Sequence, residues 1–348
     1  MSSKVLITGA AGFIGSHMVE AAKRAGLYVR ATDIKSSLET DHPIKKHAAR
    51  VTKELADELV PADLRDHSAL KELVKGVDAV IHVASVFSYT APWELLYSVN
   101  VEATKALLHE GSKAHVKRFV VIGAGGVYGL PRAGHEFTED DPPDPPNNYL
   151  KSKWFEEFHV MNLAKRLGYT YTILRPTTVY GPRQAYGALQ VLEMGYKSAV
   201  VGIPSNLKGR VPFIHVKDVA GAAVYLLDKK EAENEIFNVN DDSRYSMIEV
   251  MHLIAAAFNK PFMLLPPIPV KQVKDILMFI AHIDQEIISS KFGKKVTDLE
   301  KDTVAMFGED FIYSNEKLKS TGYKFKYPDP KQGILETIQW YKEIGYFK

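Results

Sequence analysis

Cysteine is absent from all 348 residues. That excludes a disulfide framework, a thiolate metal site and a cysteine nucleophile, and it suits a reducing, cytoplasmic compartment. An excess of one charge is also absent: 44 Lys and Arg stand against 42 Asp and Glu, for a net charge of +2. Without a polyelectrolyte signature, no nucleic-acid partner is expected. Long apolar runs are missing too. The most apolar stretch, Phe262 to Ile288, is broken by Pro266, Pro267 and Pro269 and then by Lys271, Lys274 and Asp275. Its cleanest run, Ile276-Leu277-Met278-Phe279-Ile280-Ala281, is far too short to span a bilayer, so no integral membrane segment is expected. Read as a helix, the stretch puts Val273, Ile276, Leu277, Ile280 and Ile287 on one broad face. That face suits ordinary packing, a wall for an apolar substrate, or contact with a membrane surface. Met1-Ser2-Ser3-Lys4 runs straight into a strand pattern, which leaves no room for a signal peptide. None of the twelve histidines has ligand spacing with a second histidine and a carboxylate, so no metal is expected. There is no internal repeat, and the one biased tract, Asp141-Pro142-Pro143-Asp144-Pro145-Pro146, reads as a stiff loop leading to Tyr149.

What the chain does have is concentrated at its start. The β-branched run Lys4-Val5-Leu6-Ile7-Thr8 passes into Gly9-Ala10-Ala11-Gly12-Phe13-Ile14-Gly15 and then into a helical pattern. Gly9 permits a tight turn, Gly12 lets the backbone approach a pyrophosphate, and Gly15 lets helix pack close to strand. The helix start offers free N–H groups and a positive dipole end to the phosphates, with Phe13 and Ile14 in its first turn. Asp33 closes the next apolar run, Leu27 to Thr32, as a dinucleotide site requires. Its carboxylate would accept hydrogen bonds from the adenosine ribose and repel a 2′-phosphate, which favours NAD. Lys35, two residues on, keeps some room for NADP.

Strand patterns at Val5–Thr8, Leu27–Asp33, Ala79–Val83, Arg118–Ile122 and Tyr171–Arg175 alternate with helical ones at Gly12–Ala25, Ser68–Val74, Trp93–Ala114 and Tyr149–Leu167. Such alternation predicts an α/β fold, a Rossmann-type doubly wound parallel sheet with its ligand at the carboxyl edge. After Pro176 come longer loops and isolated helices. A strand at Val211–Val216 and a helix at Asp218–Leu227 look like a return to the first lobe. The expected division is a cofactor domain over 1–176, joined by 209–240, and a smaller, discontinuous C-terminal substrate lobe over 177–208 and 241–348. Trp340, Tyr341 and Tyr346 are expected to pack the last helix onto that lobe.

Asn147 to Lys153 opens a helix on which Tyr149 and Lys153, four apart, share one face. An ammonium beside a phenol favours the phenolate and lowers its pKa from near 10. A tyrosine tuned in this way can take the proton from a substrate hydroxyl as hydride leaves carbon.

Together these residues resemble the extended short-chain dehydrogenase/reductases, which include nucleotide-sugar epimerases, dehydratases and 3β-hydroxysteroid dehydrogenase-like enzymes. The resemblance spans essentially the whole chain. Besides the glycine turn and the Tyr149/Lys153 pair, it rests on Asp63-Leu64-Arg65-Asp66, His82-Val83-Ala84-Ser85, Val99-Asn100-Val101, Val127-Tyr128-Gly129, Leu174-Arg175-Pro176, Val179-Tyr180-Gly181-Pro182-Arg183 and Phe213 to Ala220. It implies adenine contacts by Asp63 and Leu64, and a cofactor wall at Val83, Ala84 and Ser85. It places Asn100 in the cofactor-binding set, Lys153 on the nicotinamide ribose, and Pro176 and Thr178 near the nicotinamide. It also implies a homodimer paired through helices.

The pattern breaks at Ala124, where the family usually has Ser or Thr to hydrogen-bond the reacting oxygen. Three readings stand. A neighbouring hydroxyl (Ser85, Ser88 or Thr178) or a water substitutes; the alanine is a deliberate inactivating change; or the protein only senses the cofactor. Two partners that hold a diphosphate in nucleotide-sugar enzymes are also replaced, by Thr178 and Val211, although Arg183 or Arg210 could compensate. Tyr128 is a further substrate-contact candidate. His82 and His215 read as hydrogen-bonded structural residues. With the apolar Phe262–Ile288 stretch, the balance favours an NAD-dependent oxidoreductase acting on a secondary alcohol of a sterol-like or other apolar small molecule. The alternatives are a nucleotide-sugar 4-epimerase or dehydratase that keeps its NAD, and a non-catalytic NAD-binding regulator.

Overall fold

A computed structural model describes residues 3–132, 134–283, 301–306 and 308–348. Its strands in chain order are β1 (Lys4–Thr8), β2 (Tyr28–Thr32), β3 (Glu58–Leu59), β4 (Ala79–His82), β5 (Arg118–Ile122), β6 (Thr170–Pro176), β7 (Thr178–Tyr180), β8 (Val201–Pro204), β9 (Phe213–His215), β10 (Glu235–Val239) and β11 (Phe262–Leu265). The principal helices are α1 (Phe13–Arg24), α2 (Lys45–Leu55), α3 (His67–Val74), α4 (Ala103–Lys113), α5 (Asn148–Leu167), α6 (Ala188–Lys197), α7 (Val216–Leu226), α8 (Met247–Ala257), α9 (Val270–His282) and α10 (Pro330–Glu343).

Seven strands make one sheet in the order β10-β6-β5-β4-β1-β2-β3, every pairing parallel. Helices cover both faces, so its strands read as continuous apolar runs; β5 is buried at every position. Between β1 and β4 the strand order reverses, and this switch point opens the crevice in which such sheets take ligands. The expected α/β fold is present, and the five expected strands appear within two residues of their expected ends.

Two expectations need correction. Trp93–Ala114 is not one uniform helix, because Tyr97–Glu102 forms a π-helical segment between two α-helical ones. Its wider turn holds Asn100 inward, where Oδ1 accepts from Val86 N at 2.7 Å and Nδ2 donates to Ser152 Oγ at 2.9 Å. The strand near 211–216 shortens to β9 and pairs with β7, outside the large sheet. The strand that does extend the large sheet is β10, in register with β6 from Glu235↔Thr172 to Val239↔Pro176. Helix α7 packs Val219, Ala220, Ala222 and Ala223 into one core with Met18, Val19 and Ala22 of α1.

A separate core gathers Leu189 and Leu192 of α6, Val201 and Ile203 of β8, Val250, Met251 and Ile254 of α8, and Ile334, Ile338 and Tyr341 of α10. Trp340 and Tyr346 lie at its margin, as the aromatic tail predicts. Each fully buried aliphatic side chain there stabilises by about 1.5–3 kcal/mol. On α9, Ile276 is 59% and Ile280 41% exposed while Ala281 is buried. Ile287 lies outside the described residues.

Candidate active site

The site grows from the end of β1. Gly9 sits at φ 64°, where an L side chain is strained. A Cβ there would also lie 2.7 Å from the backbone of Ala84, and one on Gly15 would collide with the Gly9 carbonyl. Gly12 precedes α1 with no side-chain cap, leaving first-turn N–H groups to a ligand. Asp33 accepts from Ala11 N at 2.9 Å and Ile34 N at 2.8 Å, which fixes its carboxylate beside the turn, and burial pushes its pKa up. This cradle, closed to a Cβ at Gly9 and Gly15 and flanked by one carboxylate, fits a dinucleotide.

A cavity of about 1420 Å³ runs along the carboxyl edge. Its lining includes Asp33, Asp63 and Leu64, the turn residues Gly9, Gly12, Phe13, Ile14 and Gly15, and Val83, Ala84 and Ser85. Tyr149, Lys153, Pro176, Thr178, Ser88, Ala124 and Arg210 line it as well. Sequence positions scattered over about two hundred residues thus meet on one surface.

Several expected residues do not reach it. Asn100 is fully buried and braces Val86 through both its backbone groups. Its place is behind the cofactor wall. Tyr128 is 1% exposed, donates to Asn238 Oδ1 at 2.7 Å and stacks on Phe137, so it packs the fold. The Arg183 guanidinium is held by Glu20 at 2.7 and 3.0 Å and by His17, away from the cavity. Arg210 does line the cavity, yet Asp310 takes it through Nε at 2.8 Å and through Nη2. No described residue of α9 or β11 contributes to the wall, so the expected apolar screen from that stretch is not formed by them.

Tyr149 is 8% and Lys153 2% exposed. The expectation that Lys153 lowers the tyrosine pKa is not met. Burial pushes the Tyr149 phenol well above its ordinary range, with Tyr89, Tyr186 and Glu156 adding to the rise. The Lys153 ammonium is instead ion-paired with Glu156. Ala124, in extended conformation, packs against the cluster of Leu96, Tyr149 and Leu150.

Sequence reasoning missed an aromatic cage around the tyrosine. Phe87 meets Tyr149 edge-on at 4.8 Å between centroids, Tyr89 does so at 5.8 Å, and Tyr186 stacks on Phe87 at 4.8 Å. Phe87 and Tyr89 follow the carboxyl end of β4, a position that could have flagged them; Tyr186 carries no such signal. His82 is a buried, hydrogen-bonded residue as expected. His215 accepts from Lys217 N at 3.2 Å, and burial lowers its pKa to about 3. Among the described residues no helix is long and apolar enough to cross a membrane.

The chain is similar over nearly its whole length to several enzymes, among them epimerases, dehydratases and a cinnamoyl-CoA reductase of Petunia hybrida. It is 27% identical to the N-acetyl-alpha-D-glucosaminyl-diphospho-ditrans,octacis-undecaprenol 4-epimerase of Escherichia coli O157:H7, covering 98% of this chain and 96% of that protein. It is 25% identical to the dTDP-D-glucose 4,6-dehydratase of Mus musculus, over 98% of this chain and 89% of that protein. The Thermus thermophilus UDP-glucose 4-epimerase, solved in complex with NAD, superposes with a TM-score of 0.71 at 25% identity, covering 97% of this chain and 99% of that one. The profile of the NAD dependent epimerase/dehydratase family matches residues 5–240. With the glycine cradle, the switch-point cavity and the Tyr149/Lys153 pair in place, the chain belongs to the NAD-dependent epimerase/dehydratase family, and NAD is its cofactor.

Proposed function

We propose that this enzyme oxidises the carbon of a secondary hydroxyl on a sugar substrate and completes an epimerisation or dehydration within the same turnover. Bound NAD supplies a hydride acceptor that can give back what it takes. Tyr149 is the group that exchanges a proton with the substrate oxygen. In the oxidation it acts as the phenolate and takes the hydroxyl proton as hydride leaves carbon, and the phenol so formed gives that proton back when the hydride returns. Lys153, ion-paired with Glu156, lies one turn further along α5, and Ser85 and Thr178 offer hydroxyls where Ala124 has none. The single observation that carries the reading is that the Tyr149/Lys153 pair shares one cavity with the glycine turn. The sugar class is supported by the names of the relatives, which weigh against the sterol-like expectation. Residues 177–208 and 241–348 are proposed to supply the substrate lobe.

A second reading is favoured by the cations. Asp310 holds Arg210 and Glu20 holds Arg183, so neither guanidinium expected to serve a diphosphate is free, and the tyrosine sits among aromatics. That suits oxidation of an apolar secondary alcohol with release of NADH. One assay separates the readings: purified protein with NAD is given UDP- and dTDP-sugars and a panel of hydroxysteroids. Sugar product without free NADH supports the epimerase or dehydratase. NADH accumulating with a steroid supports the second reading and refutes the first. Tight NAD binding with no turnover on any substrate would leave a regulator. Cytoplasmic location and a homodimer are also proposed, the latter supported by exposed Leu95 and Phe158 on the helices, and sedimentation would test it.

A further inference from the structure

The side of the cavity formed by residues 177–348 offers a phosphate no free cation among its described residues. The charged side chains lining it there are Arg210 and Glu309. Asp310 takes the Arg210 guanidinium, and Lys274 binds Glu309 Oε1 at 2.5 Å. The rest of that wall is largely apolar, and methionine is concentrated in it. Met194, Met247, Met251 and Met306 line the cavity, four of the nine in the chain, so the wall is adaptable rather than cut to one rigid outline. Met247 and Met251 of α8 pack with Leu192 of α6 and Ile203 of β8, which gives these flexible side chains a firm backing. Met194 and Met306 are 54% and 41% exposed, so the apolar lining reaches solvent. Apolar surface continues from there. Glu309 N donates to Met306 O at 3.2 Å, and the Lys274 ion pair ties α9 to Glu309. That helix carries Ile276, Phe279 and Ile280, spaced for one face, into solvent.

We propose that the substrate is an amphiphile: its hydroxyl-bearing head lies at Tyr149, and a flexible aliphatic chain attached to that head lies along the methionine-lined wall. The proposal rests on the role proposed for Tyr149 and adds the class of group that the opposite lobe recognises. Unbranched thioether side chains adapt to a chain of many conformations, whereas a rigid ring system rewards a fixed outline. A nucleoside diphosphate would need cations, and Asp310 already holds the one that this wall contains. The exposure of Met194 and Met306 lets the chain extend beyond the cavity, with the α9 face beside it.

The probe is a series of methyl, hexyl, octyl and decyl glucosides, each kept below its micellar concentration and titrated calorimetrically into the NAD-loaded protein. Affinity is expected to rise about fourfold for each added methylene, with an increasingly negative heat-capacity change. Met247→Glu should flatten that dependence while NAD affinity, which reports the fold, holds. If Met247→Glu does not fold, Met194→Glu, at an exposed position, must flatten it to a smaller extent. Equal affinity for the methyl and decyl compounds overturns the proposal. So does a chain-length dependence that survives both substitutions, which would be adventitious adsorption. UDP that binds more tightly than decyl glucoside and displaces it would assign the wall to a nucleotide, and a hydroxysteroid that does so would assign it to a rigid ring; either result overturns the proposal. Full turnover by Tyr149→Phe would instead overturn the role of Tyr149, and it would leave the chain-length dependence unchanged.

Discussion

Replacing Gly15 with alanine tests the cofactor cradle most directly. The new Cβ would collide with the Gly9 carbonyl oxygen and lie 2.7 Å from the Gly9 carbonyl carbon and 2.9 Å from Ala10 Cα, all backbone. Carbon contacts settle at about 3.5–4.0 Å, so the turn must retreat by roughly an ångström. It has nowhere to go. Gly9 is backed by the Ala84 backbone, its carbonyl accepts from Gly12 N at 3.0 Å, and Ala10 N is tied to Thr32 O at 3.1 Å. Overpacking of this kind costs about 1–3 kcal/mol, and a rigid backbone neighbour puts it at the upper end. If the turn moves off the phosphates by the same distortion, NAD affinity falls about ten- to a hundred-fold. Calorimetric NAD titration and thermal unfolding should therefore both shift. Gly12→Ala is the informative contrast, since its Cβ would meet only Gly9 O at 3.1 Å. It should lose NAD affinity while keeping its melting temperature close to the parent's. A Gly15→Ala protein with unchanged melting temperature and unchanged NAD affinity would refute the reasoning.

Ala124→Ser should raise kcat about ten- to a few hundred-fold, the worth of one hydrogen bond of about 1–3 kcal/mol to the reacting oxygen; steady-state rates that stay level would show that another hydroxyl already fills the role. Asp310→Ala should release Arg210 and tighten UDP binding several-fold, as read by calorimetry, and no gain would mean that Asp310 withholds nothing. Burial pushes the Asp241 carboxyl up to about 7, against two hydrogen bonds from Ser243. Its folded value is raised, so its contribution is whole below the unfolded value near 4 and is lost as pH rises to about 7. Asp241→Asn should therefore stabilise increasingly from pH 4.5 to pH 8, by at most about 4 kcal/mol. A denaturation difference that is flat with pH would contradict this.

The parallel strands were legible because a strand buried on both faces can only be a short β-branched run, and the glycine turn because its three positions answer to three separate steric demands. Tyr149 and Lys153 were legible as a helical pair, but their mutual electrostatics were not. Whether an ammonium tunes a phenol depends on what else it touches, and Glu156 is three positions further along the same helix. Arg183 and Tyr128 were misplaced for a related reason. Both follow a strand edge in sequence, yet one answers to Glu20 on α1 and the other to Asn238 on β10, partners no local pattern reveals. The π-helical segment was likewise hidden, since Asn100 within it answers to Val86 and Ser152, partners no local pattern reveals.

The place of β10 has a consequence for how the chain can be made. A nascent chain that has reached Pro176 holds six of the seven strands, but the outer edge of β6 is still open, with its N–H and C=O groups unpaired. The same nascent chain leaves Met18, Val19 and Ala22 of α1 without the small-residue face of α7 that covers them. Both are satisfied only after the excursion through α6, β8 and β9 has been synthesised and Val239 is reached. The nucleotide-binding half therefore closes on contacts of high sequence separation, which slow folding and prolong exposure of a sticky edge. A chain halted between these points should be captured by chaperones or aggregate, and the N-terminal 176 residues make a poor stand-alone fragment.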